Sequence, residues 1–162
     1  MEDAARYQAE GPMDGIEIRR AFADDEAAVA ACVDAAYTKY IVRIGCKPGP
    51  MLADYRDLIG RRQVWVATEH TDLRGVLVLV PASDHLLIWN VAVHPKFQGR
   101  GLGRKLMTFA EEHAVGLGLR EMRLFTHELM SENIALYRRL GYEESERRTE
   151  GDHRRVYMRK TI

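Results

Sequence analysis

The chain has 162 residues, 46% hydrophobic and 30% charged, with Lys+Arg and Asp+Glu equal at 24 each. That length suits one domain burying about two thirds of its unfolded surface around a single core. The balanced charge argues against wholesale nucleic-acid binding, although a local basic patch can still hold a phosphorylated ligand. Cys32 and Cys46 are too few for a disulfide framework and lack metal-site spacing, so free thiols in a reducing, cytoplasmic interior are expected. No stretch approaches the roughly 20 apolar residues that cross a bilayer, and Glu2 and Asp3 stand where a secretory leader is basic. Residues 1–14 lack periodicity and are expected to be a flexible N-terminus ahead of a single domain over 15–162.

Ile16 to Arg20 alternates as a half-buried strand does, and Asp24 then offers an N-cap to a helix whose Val29, Val33, Ala36, Tyr37 and Tyr40 share one face. Gly45 stops it, Cys46 to Pro50 is a loop, and a short helix is expected from Met51 to Ile59. Gln63–Thr68 and Gly75–Val80 predict an antiparallel hairpin, and His85–Val93 is too apolar to have a wet face, which places it at the sheet centre. After His94-Pro95 the period becomes helical through Leu102, Leu106, Phe109, Ala110 and His113, until Gly116 to Gly118. A strand over Met122–Thr126, a helix over Glu132–Leu140 and closing strands over Tyr142–Arg148 and Arg154–Arg159 complete an α/β arrangement. The strand–helix–strand crossover implies parallel neighbours inside a mixed sheet.

The chemistry concentrates in Gln98-Gly99-Arg100-Gly101-Leu102-Gly103-Arg104, between a buried strand and an amphipathic helix. Glycines let the backbone approach a ligand, the first helical turn leaves N–H groups unpaired, and Arg100, Arg104 and Lys105 add charge, a combination that suits phosphate. A Walker A loop is excluded, because Arg104-Lys105 stands where Gly-Lys-Ser/Thr is required. The dinucleotide fingerprint fails as well, because its last glycine would fall on Arg104 or Leu106.

Gln98, Gly101 and Gly103 match the Arg/Gln-x-x-Gly-x-Gly/Ala pyrophosphate loop of the GNAT acetyltransferase superfamily. The run Asn90 to Gly103 resembles that family's strand, Pro-containing bend and loop, and Ala135 to Tyr142 resembles its late helix ending in a Gly-aromatic pair. The resemblance covers about residues 16 to 160. It implies an acyl-CoA N-acyltransferase fold: a central, mixed, twisted sheet flanked by helices, whose central strands splay apart to admit acetyl-CoA. It also implies direct acetyl transfer to a primary amine, on a small molecule or a protein, without a metal. Val91, Ala92 and Val93 would flank the pantetheine arm, which can pair with exposed backbone like an added strand. Amides from Gly99, Arg100, Gly101, Leu102, Gly103 and Arg104 would cradle the pyrophosphate, with Gln98 opening the motif. Tyr137 would protonate the departing thiolate, and an N–H near Val91 would stabilise the oxyanion.

Attack on a thioester needs a neutral amine, and one of pKa about 10.4 is neutral in about one molecule in 2,500 at pH 7, a cost of about 4.6 kcal/mol. A base within reach would help. Many family members carry an acidic residue just before the Val-Ala-Val segment, but Trp89 and Asn90 stand there. His85, Glu69, Glu128 and His127 are the replacements to consider, and a low-pKa amine would need none. Met130 stands where an asparagine often contacts coenzyme A, which leaves Asn133, one turn before Tyr137, either to reach the cofactor or to cap its helix.

His94 and His113 are read as a loop residue and a helix-face residue. Tyr37, Tyr40 and Tyr55 lie in the acceptor-side helices, where core packing competes with a pocket role, Tyr55 and the Cys46–Pro50 loop being the best pocket candidates. Arg147, Arg148, Arg154 and Arg155 are read as solvated strand faces, with recognition of an acidic acceptor as the alternative. Two rival readings are a non-catalytic acyl-CoA-binding module and a structural subunit pairing through a sheet edge. The oligomeric state stays open, with a homodimer among the options.

Overall fold

A computed structural model describes residues 15–162, so the expected flexible segment 1–14 lies outside it. In chain order the elements are β1 (Glu17–Arg20), α1 (Glu26–Ile44), α2 (Tyr55–Gly60), β2 (Val64–Glu69), β3 (Asp72–Pro81), β4 (Leu86–Val93), α3 (Leu102–Gly116), β5 (Glu121–His127), α4 (Ser131–Arg139), β6 (Glu143–Glu150) and β7 (His153–Thr161). Seven strands form one sheet in the order β1-β2-β3-β4-β5-β7-β6, with β4 and β5 parallel and the other neighbours antiparallel. The expected mixed sheet is therefore present, with β4 at its centre.

Alternation along the strands sends side chains to two cores. Val76 and Val78 of β3 pack with Val29, Val33 and Ala36 of α1 on one face. Leu77 and Leu79 pack with Leu102, Leu106 and Ala110 of α3 on the other, joined by Ile134 and Tyr137 of α4. Leu77 and Leu106 are wholly buried, and a leucine removed from water in this way contributes about 1.5–3 kcal/mol.

Two boundaries differ from expectation. A 3-10 turn (Ala23–Asp25) precedes α1, so Asp25 rather than Asp24 stands at the helix start; its carboxylate accepts the Phe22 amide at 2.7 Å and pairs with Arg19 at 2.8 Å. The single helix expected over Met51–Ile59 is split. Pro48 and Pro50 remove amide donors and fix φ, which restricts Gly49–Leu52 to a 3-10 turn, and Asp54 then caps α2 by accepting the Asp57 amide at 3.1 Å. Gly45 ends α1 as expected, in the left-handed region at φ 89.

The central irregularity lies in β4. Val78 pairs with Asn90 and Leu79 with Ile88, so Trp89 is an extra residue, a β-bulge, on β4. The bulge inverts the side-chain parity: Leu86 and Ile88 pack in the α3 core, whereas Asn90 and Ala92 turn to the α1 face. Pairing of β4 with β5 ends at the same place, at Ile88↔Leu124. Beyond Trp89 the two strands part.

Candidate active site

The last rung between β4 and β3 is the His94 amide donating to the Arg74 carbonyl at 2.9 Å. A 3-10 turn over Pro95–Phe97 then redirects the chain, and the Gln98 side-chain amide donates back to the Val93 carbonyl at 2.9 Å. Gly99 and Gly101 follow at φ 76 and 85, and a Cβ at either would meet nothing within 4 Å. Backbone conformation therefore demands glycine here, and the space in front of both residues is open. Gly101 caps α3, whose first helical bond runs from the Lys105 amide to the Gly101 carbonyl at 3.0 Å. Leu102, Gly103 and Arg104 thus carry amides with no partner inside the helix.

These residues line a groove together with Val91, Ala92, Val93, Gln98, Asn133 and Tyr137. Ladder parity, set by His94 bonding to Arg74, puts the amides of Val91 and Val93 on the side away from β3, toward the opening. The Val93 carbonyl is already taken by Gln98. Leu102 and Ala92 face the groove through backbone, because Leu102 is core and Ala92 packs against α1, whereas the expected Arg100 does not line the groove, its guanidinium lying 5.9 Å from the Phe97 ring centroid. Cationic character comes instead from Arg104, Lys39 and Arg139, while the Glu132 carboxylate on the same wall is held by Arg43 at 2.7 Å.

A second cavity meets the groove at Tyr37, Val91, Asn133 and Tyr137, which line both. Tyr137 is 7% exposed, rests edge-on against Tyr142 at 6.2 Å, and its hydroxyl makes no hydrogen bond among the described residues. Burial, and to a smaller degree the neighbouring Tyr40, pushes its pKa well above the ordinary phenol value, so the proton is retained. Asn133 approaches Met130 Sδ at 3.7 Å through its side-chain nitrogen, and its own backbone amide donates to the Met130 carbonyl.

The wall of the second cavity is tied together by Asn90. Its Oδ1 accepts the Tyr37 hydroxyl at 2.6 Å, its Nδ2 donates to the Tyr55 hydroxyl at 3.2 Å, and Tyr55 in turn donates to the Pro50 carbonyl at 2.6 Å. Tyr37 also reaches the Val91 carbonyl at 3.3 Å. One buried amide thus joins β4 to α1, α2 and the Pro48–Pro50 segment, with every hydroxyl satisfied.

The model of the acetyltransferase (GNAT) domain matches residues 60–144, just over half of the chain. The chain belongs to the GNAT acetyltransferase family. Probable N-acetyltransferase 14 of Xenopus tropicalis is 32% identical over 87 residues, which span 52% of this chain and 42% of that protein. The GNAT chain thus spans less than half the length of this relative. Among solved structures, the PaiA N-acetyltransferase of Thermoplasma acidophilum in complex with coenzyme A has a TM-score of 0.77 at 18% identity, covering 91% of this chain and 99% of that one. The ribosomal-protein-S18-alanine N-acetyltransferase of Escherichia coli has a TM-score of 0.73 at 21% identity, covering 91% and 94%. At these identities both speak to the fold.

Of the four residues considered as a base in this GNAT chain, only His127 lines the second cavity. Glu69 is paired with Arg74 near the β2–β3 turn, His85 with Asp84 at the opposite end of β4, and Glu128 with Arg154 at 3.2 Å. His127 accepts the Leu129 amide on Nδ1 at 3.1 Å, which fixes the neutral ring with its proton on Nε2. It is a donor in this geometry, not a base. Burial, reinforced by His153, holds its pKa below the ordinary histidine value.

Residues that sequence reasoning did not place in the site include Lys39, Arg139, Thr126, Phe125 and His153. No spacing rule joins positions from α1, α4, β5 and β7, so these have no one-dimensional signal. Asn90 did carry one, as a lone amide in an apolar strand. The arginine cluster is largely neutralised, by Glu144 for Arg147, Glu146 for Arg148 and Glu150 for Arg155, in line with solvated strand faces. Arg155 alone of the four also lines the second cavity.

Proposed function

We propose that the chain transfers an acetyl group from acetyl-CoA directly to an amine, with the cofactor in the groove and the acceptor in the second cavity. The observation that carries this reading is the junction: a glycine bend with open space before it leads along the freed edge of β4 to the buried Tyr137 hydroxyl. In this reading amides from Gly99 to Arg104 hold the pyrophosphate, helped by the charges of Arg104, Lys39 and Arg139. The pantetheine arm pairs with Val91 and Val93, and Asn133 faces it from α4. An amide at Val91 stabilises the oxyanion as the tetrahedral intermediate forms. Tyr137, kept protonated by burial, donates to the sulfur as its charge develops.

The protein then works as one domain over 15–162, with two free cysteines suited to a reducing compartment. The test is calorimetric titration with acetyl-CoA, followed by thiol release on adding amines. Binding with amine-dependent release is expected; absence of binding would overturn the assignment. A non-catalytic acyl-CoA-binding module is the second reading, favoured by one observation: no Asp or Glu lines the second cavity among the described residues. Binding without release across a broad amine panel would establish that reading instead.

A further inference from the structure

The charges around the second cavity restrict what can enter it, granted the acetyl transfer proposed above. Its ionisable lining groups are Tyr37, His127, Tyr137, His153 and Arg155. The carboxylates on the surrounding elements are already paired: Glu132 with Arg43, Glu128 with Arg154, and Glu150 with the Tyr157 hydroxyl and with the cavity-lining Arg155 itself. Asp34 acts on Tyr55 behind the Asn90 network and lines neither cavity. An ammonium ion entering this space would lose its water and find no free carboxylate, since the Arg155 guanidinium on its wall already holds Glu150, and an unpaired buried charge is an arrangement that proteins avoid. The same amine without its proton meets apolar walls from Trp89, Phe125 and Met130 and a donor in His127 Nε2.

His153, the first residue of β7, differs from His127 in one respect. Its ring stands edge-on to His127 at 6.2 Å but makes no hydrogen bond among the described residues, so a ring lone pair is uncommitted. The groups around it are His127 on β5, Arg155 on its own strand, Glu150 opposite it on β6, and Asp152 before it in the chain.

We propose that the acceptor is a weakly basic amine that enters uncharged, and that His153 takes the one proton it sheds on attack. The nitrogen lone pair forms the N–C bond to the thioester carbon, and the N–H proton passes to the free ring nitrogen of His153. The C–S bond then breaks, and the sulfur receives the Tyr137 proton. Water returns the imidazolium proton to Tyr137, so protons balance over one turnover. An imidazole can take a proton from an amine of pKa about 8 with little mismatch, whereas an amine of pKa about 10.4 must first be found neutral, in about one molecule in 2,500 against about one in ten at pH 7.

The experiment measures kcat/KM for acetyl-CoA-dependent acetylation of two amines of similar size, one α-amino amide of pKa about 8 and one alkylamine of pKa about 10.4, from pH 6 to 9.5. The full chain and a His153→Gln variant are compared. At pH 7 the wild type favours the weaker base on the order of 100-fold, and the alkylamine gains about tenfold per pH unit. His153→Gln lowers kcat on the order of 100-fold, with the KM for acetyl-CoA unchanged. Equal rates with the two amines at pH 7, or a His153→Gln variant with wild-type kcat, would overturn the proposal and leave acetyl transfer standing. Failure of every amine to release thiol would remove the transfer reading itself, and this proposal with it.

Discussion

The two cavities that meet at Tyr137 are built in different ways. The groove owes its shape to backbone: two glycines in the left-handed region, a helix start and the freed edge of β4. The second cavity is built of side chains from α1, β4, β5, α4 and β7, held in place by hydrogen bonds such as those of Asn90. Backbone shape is written into a contiguous segment, whereas a wall assembled from five elements is written nowhere in particular. The contrast predicts that substitutions in the groove act on cofactor affinity, and that those in the second cavity act on turnover and acceptor.

The largest expected effect comes from Gly101→Glu, which sets an anion in the proposed phosphate nest and forces φ 85 on a residue with a side chain. Affinity for acetyl-CoA should fall on the order of 100-fold or more by calorimetry, against about tenfold for Gly101→Ala, which shares the backbone strain but brings no charge. Equal losses in the two variants would show that conformation alone matters there. Tyr137→Phe should lower kcat on the order of 100-fold with the Kd for acetyl-CoA nearly unchanged; a parallel loss of affinity would place the hydroxyl on the groove side of the divide.

Asn90→Leu sharpens the other half of the comparison. It removes the bonds to Tyr37 and Tyr55 while leaving both hydroxyls their carbonyl partners at Val91 and Pro50. A stability loss of about 1–3 kcal/mol in urea unfolding is expected, with the acceptor KM rising more than the Kd for acetyl-CoA. The smallest effect is one of pH. His127 and His113 both have pKa values lowered, first by burial, so each stays neutral in the fold and takes up protons more readily once unfolded. Their contribution is fully present above about pH 6.5 and is lost as pH falls through the window beneath it, so the Tm should drop between pH 7.5 and 5.5. His127→Gln should flatten that drop.

Much of the fold was legible because its signals are local and repeated: alternation in β1, the β-forming residues of β2, the apolar runs of β3 and β4, and Gly45 ending α1. The split of the 51–59 helix was missed because Pro48 and Pro50 act on backbone donors ahead of the apolar pattern, and because Asp54 reads as a helix interior until its capping bond is seen. The loop from Gln98 to Arg104 was legible as a loop, since glycine at left-handed positions leaves a trace in sequence. Lys39, Arg139 and His153 were not, because what brings them to the site is the parting of β4 from β5. That parting coincides with one inserted residue, Trp89, inside a run that is apolar on both faces apart from Asn90, where periodicity gives no cue.

The insertion at Trp89 divides β4 into a half that glues the sheet together and a half that is offered to a guest. Because the fissure arises from the count of backbone atoms and not from the identity of any side chain, repainting its walls can change which molecule is admitted but cannot seal it. New acceptor preferences are therefore reachable by single substitutions, while abolishing the opening would require deleting a residue and re-threading every contact from Asn90 to Val93.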